Sequence, residues 1–264
     1  MIIWPPINQN PKPMFALHLQ VGDFATDWHS HPKHQLLYAE DGVLHLHSGT
    51  QKLILPARHG AWIPAHRSHK IYSKSPDLYL RTLYFDQQDN DEALLGQFHI
   101  FSISTLAREM IVYTQKWSME GKADRVETSF FETIRLLAIE WCQQTMPLVL
   151  PTTTHESLEE ITTYIGENLM HPLQLETVAQ RYGFSGRTLL RLFKDQLGMT
   201  FGAYLRVARV IRAIELLTEP KASVTSVAYE VGYNSLSAFS HTFQQLTGVK
   251  PSAYLSNNIR GEQR

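Results

Sequence analysis

A chain of 264 residues with 43% hydrophobic and 19% charged residues is long enough for about two globular domains and is too apolar to be disordered. It has no run of about 18 apolar residues, no secretion signal and one cysteine, Cys142, so we expect a soluble cytoplasmic protein without an internal disulfide. The net charge of −1 argues against general affinity for nucleic acid, so DNA binding would need a local cluster of cations.

Short apolar runs separated by turn residues occupy residues 15–85. The runs are FALHL, QLLYAEDG, VLHLHSG, QKLILP, AWIP and LYLRTLYF, with Gly, Pro, Asp or Ser between them. Many short strands at this spacing are typical of an antiparallel barrel or sandwich. We predict an antiparallel β-barrel over about residues 10–90.

From about residue 102 the apolar residues follow a helical period. One stripe, in a segment without Gly or Pro, consists of Val126, Phe130, Ile134, Leu137 and Trp141. We predict two helices, over about 102–119 and 125–145. The proline-containing segment MPLVLPTTT, residues 146–154, is predicted to connect an N-terminal domain, residues 1–150, to an all-α domain, residues 155–258. The fold class is therefore α+β with two domains.

The second domain contains a repeat of helix, glycine turn and helix. VAQRYG, ending at Gly183, recurs 49 residues later as VAYEVG, ending at Gly232, and each is followed by an amphipathic helix. A glycine allows the sharp turn of a helix-turn-helix, and the alanine before it allows close packing. We predict two such units, over about 174–197 and 224–247, joined by a linker helix over about 200–218.

The second helix of each unit is a candidate to enter the DNA major groove. Its outward residues are Arg187, Leu190, Arg191 and Lys194 in the first unit, and Leu236, Ser237, Ser240, His241 and Gln244 in the second. Six basic residues against one acid between Arg187 and Arg212 form a local island of positive charge. A linker helix about 27 Å long would hold the two helices near successive major grooves, which are about 34 Å apart. The alternative is a small helical bundle with a solvated basic face.

Residues 156–255 resemble the AraC/XylS family of bacterial transcription regulators. The ending matches the family signature F-S-x-x-F-x-x-x-x-G-x-x-P-x-x-Y through Phe239, Ser240, Phe243, Gly248, Pro251 and Tyr254. The resemblance implies promoter binding, with base contacts from Arg187, Leu190, Arg191, Ser237, Ser240 and His241, although His241 stands where the family often has arginine. It also implies RNA polymerase as a partner and a homodimer. The stripe from Val126 to Trp141 is the candidate dimer contact, with packing against the barrel as the alternative.

Eight histidines lie between His29 and His69. The segment GDFATDWHSHPKHQLLYAEDG, ending at Gly42, resembles the first motif of the cupin family, and GAWIPAHRSHK resembles the second. The resemblance implies that His29, His31 and His69 are metal ligands, with Gln35 in the place of the family's glutamate. His29 and His31 would lie on one strand and point the same way.

The predicted function is a DNA-binding regulator whose effector binds inside the barrel. Neutral imidazoles hold Zn, Ni, Cu or Fe, so the effector is a divalent transition metal, or else the histidines line a pocket for an organic small molecule or form buried hydrogen bonds. Trp28, Tyr38 and Trp62 are candidate pocket walls. A cupin enzyme, such as a metal-dependent dioxygenase or isomerase, is the rival function. Gln35 removes the anionic ligand that such catalysis commonly uses, so we predict no enzyme and assign no catalytic residue.

Overall fold

The computed structural model describes residues 7–41, 43–49, 51–56, 59–75, 78–88, 93–144, 148–217, 219 and 221–252. The described residues of Met1–Ser48 and Ile54–Met146 form one compact unit, and those of Gly49–Leu53 and Pro147–Arg264 form another. Gly42, Tyr254 and the first two residues of the predicted connection lie outside the described residues. No helix within the described ranges is long and apolar enough to span a membrane.

Antiparallel strands dominate the first part of the chain. Their bounds are β1 Met14–Val21, β2 Phe24–Ala25, β3 Lys33–Asp41, β4 Val43–Ser48, β5 Gln51–Pro56, β6 His59–Ile63, β7 His69–Ser73, β8 Leu78–Asp86, β9 His99–Ser102 and β10 Val149–Pro151. They form two five-stranded sheets, in the orders β1-β8-β3-β6-β9 and β10-β5-β4-β7-β2. The predicted antiparallel strands are confirmed, but two sheets replace the single closed barrel. Alternation along a strand shows which face is buried, whereas strand order depends on pairings between distant segments.

Two helices follow the strands of the first unit, α1 over Thr105–Tyr113 and α2 over Arg125–Gln143. The first starts later than predicted, because residue 102 still belongs to β9 and the side chain of Ser104 caps the helix by accepting from the backbone N–H of Ala107. It also ends earlier, because the chain tightens into a 3-10 turn over Thr114–Lys116. Asp124 caps α2 in the same way.

The buried face of α2 differs from the predicted stripe. Phe131, Ile134, Ala138 and Cys142 are buried, whereas Val126 is 62% exposed. The segment offers adjacent apolar residues, so its periodicity allows two faces that differ by about one residue. The buried face packs against the core of the first sheet. Cys142 is part of that core, and burial raises the pKa of its thiol to about 12.

The second unit is helical. Its helices are α3 Glu156–Glu167, α4 Leu175–Arg181, α5 Gly186–Leu197, α6 Phe201–Leu217, α7 Val224–Glu230 and α8 Leu236–Thr247. The pairs α4–α5 and α7–α8 are two helix-turn-helix units, as the repeat predicts, and α6 lies between them in sequence. With 17 residues, α6 is about 26 Å long. The α+β fold class is confirmed.

Both predicted glycine turns have left-handed backbone conformations. The φ angle is +75° at Gly183 and +82° at Gly232. A side chain strains such a conformation, so backbone geometry alone favours glycine at both turns. Their surroundings differ, because a Cβ added to Gly183 would meet nothing within 4 Å, whereas one added to Gly232 would lie 2.2 Å from the carbonyl oxygen of Leu169.

Candidate DNA interface and histidine site

Helix α5 separates an apolar face from a cationic one. The hydroxyl of Ser185 caps its first turn by accepting from the backbone N–H of Thr188, and Gly198 ends the helix in the left-handed conformation. Leu189, Phe193 and Leu197 are buried in the core of the second unit. Arg187, Leu190, Arg191 and Lys194 are exposed, as are Asp195 and Gln196 near the end of the helix. The structure therefore brings all four candidate DNA-binding residues of the first unit together on one open surface.

Helix α8 has the same organisation with a less charged outer face. Its first turn is capped by Ser235, and Phe239 and Phe243 are fully buried. The exposed candidates are Leu236, Ser237, His241 and Gln244, and Ser240 is partly buried. This face offers hydrogen-bonding groups without a fixed charge, so its contribution to DNA binding would depend on contact geometry more than on attraction to phosphates.

The basic island read from the sequence is not one surface. Arg206 is exposed, whereas Arg212 forms an ion pair with Glu215 on its own helix, at 2.8 Å. Arg209 is partly buried and donates a hydrogen bond to the carbonyl oxygen of His171, at 3.2 Å. The cations that stay together on one face are those of α5.

Three histidines converge within the first unit. The backbones of His29 and His69 exchange two hydrogen bonds of 2.9 Å, which places their side chains on the same face. Their ring centroids are 4.4 Å apart, and the ring of His31 lies 5.2 Å from that of His69. One ligand atom from each of the three lies within 4.8 Å of the others. The side chains are thus close enough to bind a single ion.

Each of these imidazoles is held by a backbone carbonyl through its Nδ1 atom. The pairs are His29 Nδ1 with Asp27 at 2.9 Å, His31 Nδ1 with Lys33 at 2.7 Å and His69 Nδ1 with Arg67 at 2.8 Å. A carbonyl oxygen only accepts, so Nδ1 carries the proton and the Nε2 atom of each neutral ring keeps its lone pair. This is the arrangement by which proteins orient histidine ligands of metals. The Nε2 atom of His69 is buried and has no hydrogen-bond partner in the described part of the chain.

Gln35 on β3 lies beside the three histidines. Its Oε1 atom is 3.0 Å from Nε2 of His31, and its Nε2 atom donates to the hydroxyls of Thr82, at 2.8 Å, and Tyr84, at 3.2 Å. With the proton of His31 on Nδ1, Nε2 and Oε1 are two acceptors facing each other, an arrangement that a cation between or beside them stabilises. The donor set of three imidazole nitrogens and one amide oxygen fits a divalent transition metal.

Burial keeps two of the three imidazoles neutral. It lowers the pKa of His69 to about 3, although the hydrogen bond from its ring to the carbonyl of Arg67 opposes this change. Burial also lowers the pKa of His31 below its ordinary value. The neutral ring is the form that binds a metal ion.

Two predicted pocket walls lie elsewhere. Tyr38 and Trp62 are fully buried in the core that packs against α2. Tyr38 differs from Gln35 by an odd number of positions along β3, so the two side chains point to opposite faces of the sheet. Trp62, paired opposite Leu36, faces the same core and donates its indole N–H to the carbonyl of Leu95, at 3.0 Å. Both residues are structural aromatics and not walls of the histidine site.

Two further expectations need correction. Trp28 is 50% exposed, and the Nζ atom of Lys70 lies 5.5 Å from the centroid of the Trp28 ring. Trp28 therefore lies on the protein surface and does not line a pocket. His29 and His31 do not share a strand, because β3 begins only at residue 33 and His29 forms an isolated bridge. The bridge brings His29 to His69, and the carbonyl oxygen of His31 accepts a separate hydrogen bond of 2.8 Å from the backbone N–H of His66, three residues before His69.

Thr82 and Tyr84, which accept hydrogen bonds from the amide of Gln35, are site residues that no sequence motif indicated. Both lie on β8 and reach Gln35 because β8 pairs with β3, with Gln35 opposite Tyr84. Alternation along LYLRTLYF marks the two residues as sharing a face. It does not show which strand lies beside them.

Both units match families of known proteins. A helix-turn-helix domain model matches residues 178–257, and an AraC-like ligand binding domain model matches residues 13–136. The multiple antibiotic resistance protein MarA of Escherichia coli K12 is 32% identical over 108 residues, which are 41% of this chain and 85% of MarA. The chain belongs to the AraC/XylS family of transcription regulators.

The match to one further relative extends over both units. The HTH-type transcriptional activator RhaS of Shigella sonnei is 24% identical over 239 residues, covering 82% of this chain and 83% of RhaS. The crystal structure of ToxT from Vibrio cholerae has a TM-score of 0.39 and 14% identity, covering 93% and 99% of the two chains. The predicted function is confirmed at the level of the family, a DNA-binding transcription regulator with an N-terminal ligand-binding domain.

Proposed function

We propose that this regulator binds double-stranded DNA through α5 and α8 in successive major grooves, and that a divalent transition metal held by His29, His31 and His69 is its effector. The observation that carries the metal is the convergence of three imidazoles, each held through Nδ1 by a backbone carbonyl. The regulator would act in the cytoplasm, where bacterial DNA lies.

The DNA part of the proposal rests on the outer faces of α5 and α8. The N-terminal residues of a recognition helix approach the bases, and later residues approach the phosphates. Arg187 and Arg191 have the fork geometry that reads a guanine, and the exposed Leu190 fits a thymine methyl. Lys194, in the last turn of α5, is placed for a phosphate. On α8, the hydroxyls and the side chains of His241 and Gln244 supply the polar contacts.

We predict that Arg191→Ala weakens binding to the specific operator about 5- to 150-fold, equivalent to about 1–3 kcal/mol, and relaxes the preference at one base pair. Lys194→Ala is the matched control on the same helix. It should weaken binding to all sequences alike. It should also reduce, by about one, the slope of the logarithm of the binding constant against the logarithm of the salt concentration. Titrations of operator and unrelated DNA at several salt concentrations measure both effects. An equal loss for Arg191→Ala on every sequence would make Arg191 a phosphate contact.

The metal part of the proposal rests on the fit of the donor set. The ligating atoms lie within 4.8 Å of one another, and the buried Nε2 of His69 has no other partner among the described residues. An ion there would tie the segment before β3 to the start of β7, and it would supply the positive charge that the acceptors around it lack. An effector acts by binding one conformation of the protein more tightly than another. A metal held by these three histidines would do so if the site forms fully in only one conformation.

We predict that the purified protein binds one Zn²⁺, Ni²⁺ or Cu²⁺ ion and that His69→Ala lowers its affinity at least about 100-fold. His45→Ala is the control, because this histidine stacks on Tyr72 away from the cluster. Equilibrium dialysis with each metal alone measures affinity, and operator titration with and without metal measures the response. Equal metal binding by His69→Ala and the wild type would exclude the site. A metal-free protein with an unchanged operator affinity would favour an organic effector.

We further propose that the histidine site senses and does not catalyse. In the described part of the chain, the ligating group contains three histidines and no carboxylate that would serve as a general acid or base. The family models and the named relatives are likewise regulators and not enzymes.

A homodimer and contact with RNA polymerase complete the proposal. The first unit leaves two apolar residues of α2 in solvent, Val126 at 62% and Leu136 at 55% exposure. Burying these side chains against a second copy would be favourable. The resulting dimer would carry four recognition helices and could bind two neighbouring DNA sites.

A further inference from the structure

The two helix-turn-helix turns are equivalent in sequence but not in surroundings. Gly183 and Gly232 hold the same place in the repeat and have similar left-handed φ angles. Space is open around Gly183, whereas Gly232 lies against the carbonyl oxygen of Leu169, in the segment that follows α3. A methyl group at the second turn would therefore clash with the segment after α3, whereas one at the first turn would meet no neighbour.

Arg209, on α6, completes this contact. Its Nη2 atom donates to the carbonyl oxygen of His171, at 3.2 Å, and its guanidinium lies over the ring of Tyr233, 5.5 Å from the centroid. The same Nη2 atom is 2.6 Å from the place that a Cβ of Gly232 would take. We call these groups the Arg209 clamp: Arg209, Gly232, Tyr233 and the carbonyls of Leu169 and His171.

The clamp joins the elements that position the two recognition helices. On one side, α3 shares a core with α4 and α5 through residues such as Ile161, Val178 and Phe193. On the other side, α8 begins at Leu236, four positions after Gly232. Because the contact at Gly232 leaves no room for a methyl group, the turn has little freedom to shift relative to α3.

We propose that the Arg209 clamp sets the half-site spacing that one chain recognises, which makes Arg209 a positioning residue for operator geometry. This inference rests on the proposed function, since both α5 and α8 must bind DNA for spacing to matter. Each base pair inserted between half-sites shifts one relative to the other by about 3.4 Å and rotates it by about 34°. If the clamp fixes the separation and orientation of α5 and α8, the two helices cannot both fit a half-site that has been shifted and rotated. Without the clamp they can adjust to it.

The test uses the full chain, a duplex selected from random sequences for tight binding to it, and the same duplex with two base pairs inserted between the half-sites. The measured quantity is the ratio of the affinities for the selected and the lengthened duplex. We expect the wild type to bind the lengthened duplex about 30-fold more weakly, because it loses one half-site, and Arg209→Met only about threefold more weakly. Tyr233→Leu, which removes the ring beneath the guanidinium, should also bring the ratio of the two affinities below the wild-type value.

Arg212→Met is the control on the same helix, since Arg212 is paired with Glu215 and lies outside the clamp. It should keep the wild-type ratio even if its overall affinity falls. A merely destabilised variant loses active protein equally for both duplexes, so its ratio also stays unchanged. If Arg209→Met and Tyr233→Leu keep the wild-type ratio, the clamp is overturned while the proposed function stands. If the wild type is indifferent to spacing, two-site binding and the clamp fail together.

Discussion

Gly232→Ala is expected to lower the free energy of unfolding of the helical unit by about 3 kcal/mol or more, and Gly183→Ala by only about 1 kcal/mol. Both substitutions force a residue with a Cβ into the left-handed region, which costs about 1–2 kcal/mol and is partly offset by the lower entropy of the unfolded chain. Only Gly232→Ala also places a methyl group 2.2 Å from a backbone oxygen, that of Leu169. Such overpacking adds about 1–3 kcal/mol.

The distribution of tryptophans makes this difference measurable in the whole protein. All five tryptophans precede Cys142 in the sequence, and none lies in the helical unit. Denaturant unfolding followed by far-ultraviolet circular dichroism should show the loss of helix stability, while tryptophan fluorescence follows the first unit. Equal effects of the two alanine variants on the dichroism transition would contradict the tight contact at Gly232.

Glu127→Gln is expected to destabilise the first unit by about 3 kcal/mol or more. The carboxylate of Glu127 pairs with the ammonium of Lys12 at 2.8 Å, and the two side chains are only 5% and 4% exposed. Lys12 also donates to the carbonyl of Ser118, at 2.8 Å. Neutralising the glutamate leaves a buried ammonium without its counter-charge, and breaking a buried pair in this way typically costs about 3–5 kcal/mol.

Two variants isolate the effect of burial. Glu109→Gln removes an ion pair with Arg108 in which the glutamate is 60% exposed, and it should cost no more than about 0.5 kcal/mol. Adding Lys12→Met to Glu127→Gln should recover most of the lost stability, because no unpaired charge remains. Tryptophan fluorescence during urea unfolding measures all three. Similar losses for Glu127→Gln and Glu109→Gln would show that the buried pair has no special weight.

The helical unit could be predicted closely because its signals are local. A glycine turn, a small residue before it and an apolar stripe are all read within about 25 residues, and the repeat gives each signal twice. The position of Arg209 could not be read in this way. Counting charges placed it in the basic island, whereas the structure turns it toward Gly232 and Tyr233. Which way a helical residue faces depends on what packs beside the helix.

The first unit could be predicted only in part, because the contacts between its strands join residues that are far apart in the sequence. Alternation identified the strands, and the motifs brought His29, His31 and His69 into one hypothesis. The amide of Gln35 is held by Thr82, 47 positions away, through a strand pairing that no local pattern shows. The same limit explains Trp62, whose place in the core follows from its position opposite Leu36.

The connection between the units also carries more structure than its composition suggests. The prolines and threonines of residues 146–154 predict an exposed linker, yet β10 pairs with the first half of β5. Leu150 packs against the core that contains Leu158 and Phe193. Three consecutive apolar residues, Leu148 to Leu150, are too short a pattern to reveal either contact.

The burial of Cys142 offers a practical route to the geometry of DNA reading. It is the sole cysteine of the chain, and with a thiol pKa of about 12 it carries almost no reactive thiolate at neutral pH. Cysteines introduced on the outer faces of α5 and α8 would therefore be the sites that take a spin label. Electron paramagnetic resonance would then read the separation of the two helices in solution, free or bound to DNA, without any native residue having to be removed first.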